Sequence, residues 1–162
     1  MLDAPTIEID IAGQSLSLKE GGQVIFHCPV STARNGAGER NGSECTPRGR
    51  HIICEKIGAG AAENTVFVAR RETGELYTPE YAQRHPGRDW ILTRILWLSG
   101  TEPGVNCGGD VDTRQRYIYI HGAPDTVPMG VAGSRGCIRM RNADIIRLFE
   151  LVAVGTEVYI RE

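Results

Sequence analysis

The chain lacks any run of the ~18–20 apolar residues that a membrane-spanning helix needs. Stretches such as Ile118–Ile120 and Ile145–Val152 are broken by polar residues well short of that length. It lacks an excess of positive charge. The 18 Lys and Arg against 20 Asp and Glu leave a formal net charge of -2, so no basic field is available to hold a nucleic-acid backbone. It lacks a Cys-x-x-Cys pair, which removes a thioredoxin-type redox reading. The five cysteines, Cys28, Cys45, Cys54, Cys107 and Cys137, are an odd number without close pairing, which fits free thiols in a reducing compartment. Met1–Pro5 shows no cationic leader, no apolar h-region and no small-residue cleavage site. The expectation is a cytoplasmic protein, or a periplasmic one if the chain has been trimmed. His27, Cys28, His51 and Cys54 do not form paired ligand elements, so no metal is expected. Nothing implies a cofactor or an obligate protein partner.

What is present is ordinary globular composition: 162 residues, 41% hydrophobic and 23% charged. That length suits one domain, residues 1–162, able to bury a core without staples. Ile7, Ile9 and Ile11 alternate with Glu8 and Asp10, and Leu16 and Leu18 with Ser15 and Ser17, the period-2 pattern of strands with one wet face. Glu20-Gly21-Gly22 predicts a hairpin turn into a strand at Gln23–Val30. Residues 33–49 read as a long loop. Strands are expected at Arg50–Cys54 and Thr65–Ala69, a surface excursion at 72–90, a buried strand at Trp90–Leu98 and a Gly-rich loop at 99–115. Tyr117–His121 is the clearest core strand, with Ile118 and Ile120 on one face and Tyr117, Tyr119 and His121 on the other. Asn142 reads as a helix N-cap. The stripe Ile145, Ile146, Leu148, Phe149 and Val152 predicts a helix ended by Gly155, with a closing strand at Thr156–Arg161. The fold class is mainly β, with two packed sheets expected and one main helix near the C-terminus.

The chemistry concentrates in residues 121–140. A histidine, His121, ends a strand, and sixteen positions later Cys137 sits on a glycine-flanked turn. Cysteine attacks as thiolate, and an adjacent imidazole can take its proton. Gly136 allows close approach to a substrate carbonyl, and the N–H groups of Gly136 and Cys137 could form an oxyanion hole. Arg135 and Arg139 favour the anion. Arg139 could grip a substrate carboxylate in a bidentate fork, its bland alternative being a structural ion pair. Tyr119 could line the site or simply pack. Asp110 and Asp112 could hold a substrate amine but read better as turn residues.

His121-Gly122, then Ser134-Arg135-Gly136-Cys137 and Arg139, resemble the signature of the L,D-transpeptidase catalytic domain (YkuD-like) family. Thr46-Pro47-Arg48-Gly49 resembles its Thr-Pro-x-Gly turn, and the opening hairpin resembles its first. The likeness spans nearly the whole chain, the loop at 33–45 and the insertion at 71–115 departing from a minimal member. It implies a β-sandwich of mixed sheets with the site under a loop lid. It implies Cys137 as nucleophile, His121 as general base and the Gly122 carbonyl fixing the imidazole tautomer, with Ser134 bonding within the site. The implied partners are peptidoglycan stem peptides or muropeptides, and carbapenems acylate many members.

With no leader, the expected reaction is L,D-carboxypeptidase action on recycled muropeptides: a thioester at diaminopimelate or Lys, D-Ala released, water as acceptor. The alternatives are a transpeptidase forming 3-3 cross-links or exchanging D-amino acids, a non-catalytic stem-peptide-binding module, or another kind of cysteine protein. Papain-like chemistry is disfavoured because the cysteine there lies far upstream of its histidine.

Overall fold

The computed structural model describes residues 4–162. The alternating segments become β1 (Thr6–Asp10) and β2 (Ser15–Glu20), with Ile7, Ile9, Leu16 and Leu18 fully buried. Gly21 and Gly22 take φ of 58° and 80° and turn the chain into β3 (Gln23–Pro29). Then follow β4 (Gly49–Ile57), β5 (Thr65–Val68), β6 (Arg71–Leu76), a short α1 (Pro79–Gln83) and the long β7 (Ile91–Gly100). The last elements are β8 (Tyr119–Ala123), β9 (Ile138–Arg141), α2 (Asn142–Leu151) and β10 (Glu157–Arg161).

The strands join in the order β3-β2-β1-β10-β4-β7-β5-β6, and β8 branches from β7 and carries β9. Pairing is mixed: β1 runs parallel to β10, and β8 parallel to β9, while the other pairs are antiparallel. The sheet curls because β7 accepts β4 along Ile95–Gly100 and β5 at Ile91 and Leu92. Leu96, Ile120, Ile138 and Met140 point into the main core, where Ile145 and Leu148 of α2 meet them. On the opposite face Ile95 and Tyr119 form a smaller cluster with Phe67 of β5, and Cys137 packs against it. The two faces of β7-β8-β9 thus have different tasks: one holds the helix, the other the chemistry.

Several expectations change. The core strand expected at Tyr117–His121 runs Tyr119–Ala123, because Tyr117 is an exposed turn residue at φ 56°. Residues 71–76 are a strand and not part of a loop excursion. All six are exposed, so no face alternates, and backbone pairing to β5 alone defines the element. β4 extends beyond Cys54 to Ile57. Asn142 is the first helical residue, and Arg141 holds the cap position with no side-chain cap bond. The Asn142 amide is used elsewhere: Oδ1 accepts from Thr93 Oγ1 at 2.7 Å and Nδ2 donates to Asn64 Oδ1 at 2.9 Å.

His51 on β4 is buried with both ring nitrogens occupied. Nδ1 bonds Gly49 O at 3.0 Å and Nε2 bonds Thr113 Oγ1 at 3.0 Å. Burial pushes its pKa down to about 4 from 6.5. The unfolded chain therefore binds the proton first as pH falls, so stability rises with pH across this window. We expect about 3 kcal/mol to be lost between pH 6.5 and 4 through this group. Urea unfolding at several pH values checks it: the His51→Gln variant should show a flatter profile over the same range.

Candidate active site

The parallel pairing of β8 and β9 aligns Ile120 with Ile138 and His121 with Arg139. Side chains two apart share a face, so Tyr119, His121, Cys137 and Arg139 all project from the same side of adjacent strands. The imidazole is buried, and Nδ1 lies 2.6 Å from Gly122 O. With that carbonyl accepting from Nδ1–H, Nε2 keeps its lone pair, the tautomer a general base needs. Cys137 receives the Tyr119 backbone N–H on Sγ at 3.3 Å, and its thiol reaches Tyr117 O at 3.4 Å. Tyr117 presents that carbonyl from a positive φ of 56°.

Burial sets the resting protonation. It pushes the Cys137 thiol up to about 12; the Tyr119 N–H opposes this, Asp89 adds to it, and Arg139 and Arg116 act against it. Burial also holds His121 below the usual imidazole range, against the pull of the Gly122 carbonyl. Desolvation thus disfavours the charged form of each group.

The turn before the nucleophile is pinned at several points. Ser134 is buried; its hydroxyl donates to Cys137 O and accepts from Gly136 N–H at 3.2 Å. The Gly136 N–H expected in an oxyanion hole is thus already engaged. Gly136 adopts φ 136°, a conformation L side chains rarely take. Thr46, fully buried, donates to Gly136 O at 2.9 Å and accepts from Ala33 N at 3.0 Å. The Thr-Pro-x-Gly turn of the sequence therefore braces the nucleophile turn directly, through Thr46.

The other candidates are placed as follows. Arg135 is exposed at the rim. Arg139 Nη2 already pairs with Asp89 Oδ1 at 2.8 Å, and Nη1 reaches Gly133 O at 3.3 Å. The Tyr119 ring packs against Trp97 with centroids 5.9 Å apart, and its hydroxyl accepts from Arg70 Nη1 at 2.9 Å. Asp112 accepts from the N–H groups of Gly108 and Gln115, each at 2.8 Å, a turn-forming role. A cleft of about 280 Å³ opens over Cys137, lined by Arg70, Asp89, Arg116, Tyr117, Tyr119 and Arg135. Asp89, Arg70 and Arg116 were not legible as site residues. Each sits in a polar loop or turn, and only the fold brings it to the cysteine.

A model of the YkuD family, the L,D-transpeptidase catalytic domain, matches residues 4–160. YkuD of Bacillus subtilis, which carries the L,D-transpeptidase name, is 35% identical over 94 residues, 58% of this chain and 47% of that protein. ErfK/SrfK of Salmonella typhimurium, named likewise, is 33% identical over 119 residues, 62% of this chain and 38% of that protein. The chain thus spans less than half the length of these curated relatives. L,D-transpeptidase 3 from Mycobacterium tuberculosis, solved with a faropenem-derived adduct, superposes with a TM-score of 0.60 at 16% identity, over 98% of this chain and 60% of that one. At that identity the likeness is one of fold. With the family model covering the domain from β1 to β10, the chain belongs to the YkuD family of L,D-transpeptidase catalytic domains.

Proposed function

We propose that this domain is a cysteine acyl-enzyme acting on peptidoglycan stem tetrapeptides, with water as the main acceptor. The observation that carries the reading is the shared face of His121 on β8 and Cys137 immediately before the parallel strand β9, with the imidazole tautomer fixed by Gly122 O. His121 Nε2 takes the thiol proton as Sγ attacks the carbonyl of the third stem residue. The S–C bond forms, the C–N bond to D-Ala breaks, and the proton passes to the departing amine. Water then gives its proton to His121 and its oxygen to the thioester carbon, releasing a tripeptide and the thiol. Since burial disfavours both charged forms, proton transfer coupled to the attack of sulfur on the substrate carbonyl avoids a buried ion pair. Arg139 serves as the carboxylate anchor, its Asp89 contact giving way to substrate.

The cleft supports hydrolysis. At about 280 Å³ it lies at the small end of ligand sites, room for one stem's scissile end, and water needs no site of its own. A second reading, transfer to an amine, is favoured by a separate polar recess of about 330 Å³ beyond the nucleophile turn, lined by Arg34, Glu44 and Arg135 among others. Incubation with a disaccharide-tetrapeptide and mass spectrometry of the products separates them. Loss of one D-Ala to give tripeptide is expected; dimers as the main product would replace hydrolysis by cross-linking, and unchanged substrate would remove both.

A further inference from the structure

Arg116 lies in the loop before β8 and takes no part in the steps above. Its guanidinium is half-buried and bonds only neutral oxygens. Nη1 donates to Gly38 O at 3.3 Å and Glu39 O at 3.2 Å; Nη2 donates to Cys45 O at 2.7 Å and Ser43 Oγ at 3.4 Å. Among the described residues no carboxylate comes within ion-pair distance of it. The carboxylate of Glu39, whose backbone it touches, is occupied by Arg48 at 3.0 Å. Taking a cation out of water without an acid partner is costly, which points to a use for the charge.

The loop that Arg116 holds is the one under the nucleophile. Cys45 O lies 3.3 Å from where a side chain on Gly136 would begin, and Arg116 Nη2 lies 3.9 Å from the same point. Thr46, next along the loop, bonds Gly136 O. Arg116 also lines the cleft with Cys137. The other charged and titratable groups facing Cys137 are Asp89 from the loop before β7, Arg139 from β9, Arg70 from the β5–β6 turn, Arg135 from its own turn, Tyr117 from the loop before β8, and His121 and Tyr119 from β8. Asp89 and Arg139 are bonded to each other and act on the sulfur with opposite sign. Arg135 is exposed, where water screens it.

We propose that Arg116 is a positioning residue for the nucleophile: its guanidinium fastens the 38–45 loop beneath the Gly136–Cys137 turn and supplies the unneutralised positive charge that favours sulfur as the anion. The proposal rests on Cys137 being the nucleophile. The test follows the rate of Cys137 alkylation by iodoacetamide at one fixed, mildly alkaline pH, resolved by peptide mass spectrometry, together with acylation by faropenem. Arg116→Gln should slow both about tenfold. Ser43→Asp keeps Arg116 and offers it a carboxylate, so it should slow alkylation in the same direction. Arg116→Lys retains the charge and should stay with the wild type. An unchanged alkylation rate in folded Arg116→Gln or in Ser43→Asp overturns the proposal, as does a Lys variant slowed as far as Gln. A faropenem adduct on a cysteine other than Cys137 in the unaltered protein would instead discard the nucleophile reading itself.

Discussion

Replacing Cys137 with alanine abolishes both faropenem adduct formation and D-Ala release, a loss expected at about four orders of magnitude or more. The size follows from the role proposed: without sulfur no thioester forms, and the remaining groups can only bind substrate. His121 cannot substitute, because its imidazole is buried with Nδ1 committed to Gly122 O. The fold should survive. Alanine leaves the Tyr119 N–H without its sulfur acceptor and Tyr117 O without its thiol donor, at about 1 kcal/mol. A thermal melt beside the activity assay separates lost chemistry from lost structure. Undiminished turnover by the folded alanine variant would remove Cys137 from the mechanism.

Gly122→Ala has the second largest expected effect, and it reads on both stability and activity. Gly122 pairs with Leu92 of β7, where the ladder slips at a bulge before Ile95. Thr93 in that bulge is buried at φ 76°, unusual for a β-branched residue. Its hydroxyl donates to Asn142 Oδ1 and accepts from Asn64 N. A Cβ on Gly122 would stand 2.6 Å from Leu92 O and 3.1 Å from Thr93 Cβ, and would overlap Asn142 Oδ1. Two of these neighbours are fixed, one by the backbone ladder and one by the Asn64–Thr93–Asn142 bonds, so the strand itself must move. We expect about 3 kcal/mol of destabilisation, a fall in Tm on the order of 10 °C. Because Gly122 O sets the imidazole tautomer, acylation should fall more than stability explains. Calorimetry and faropenem acylation below the melting temperature check the two parts. A variant as stable as the wild type would mean that the bulge is softer than its bonds imply.

Much of this architecture is legible in the residues. The alternation of Ile7, Ile9, Leu16 and Leu18 marks two strands because one face of each is wet, and Gly21-Gly22 marks their partner. His121 and Cys137 stand out through their glycine neighbours. The strand Arg71–Leu76 leaves no pattern because both its faces meet water. Asn142 resembles a cap, yet its amide is drawn into the Thr93 bulge, a contact 49 residues away along the chain. Arg116 and Asp89 are the harder cases. Their meaning lies in what faces them, and a loop arginine paired with backbone carbonyls looks in sequence like any solvated charge. The upward push on the Cys137 thiol and the downward push on the His121 imidazole were likewise hidden, since both depend on burial and not on residue type.

The parallel ladder of β8 and β9 separates two lengths that a linear motif would confuse. Ladder spacing gauges how near base and nucleophile stand, whereas the tether between them only has to return the chain to the start of β9. Its later part is moored by Gly130, Gly133 and Ser134 to Val30 and Thr32, but Asp125, Thr126 and Pro128 are exposed. Extra residues there would lengthen the tether and leave the reacting pair where it is. One residue inserted between Ile118 and His121 would instead rotate the imidazole onto the α2 side of the sheet. Kinship within this family is therefore better measured by strand phase than by counting from histidine to cysteine.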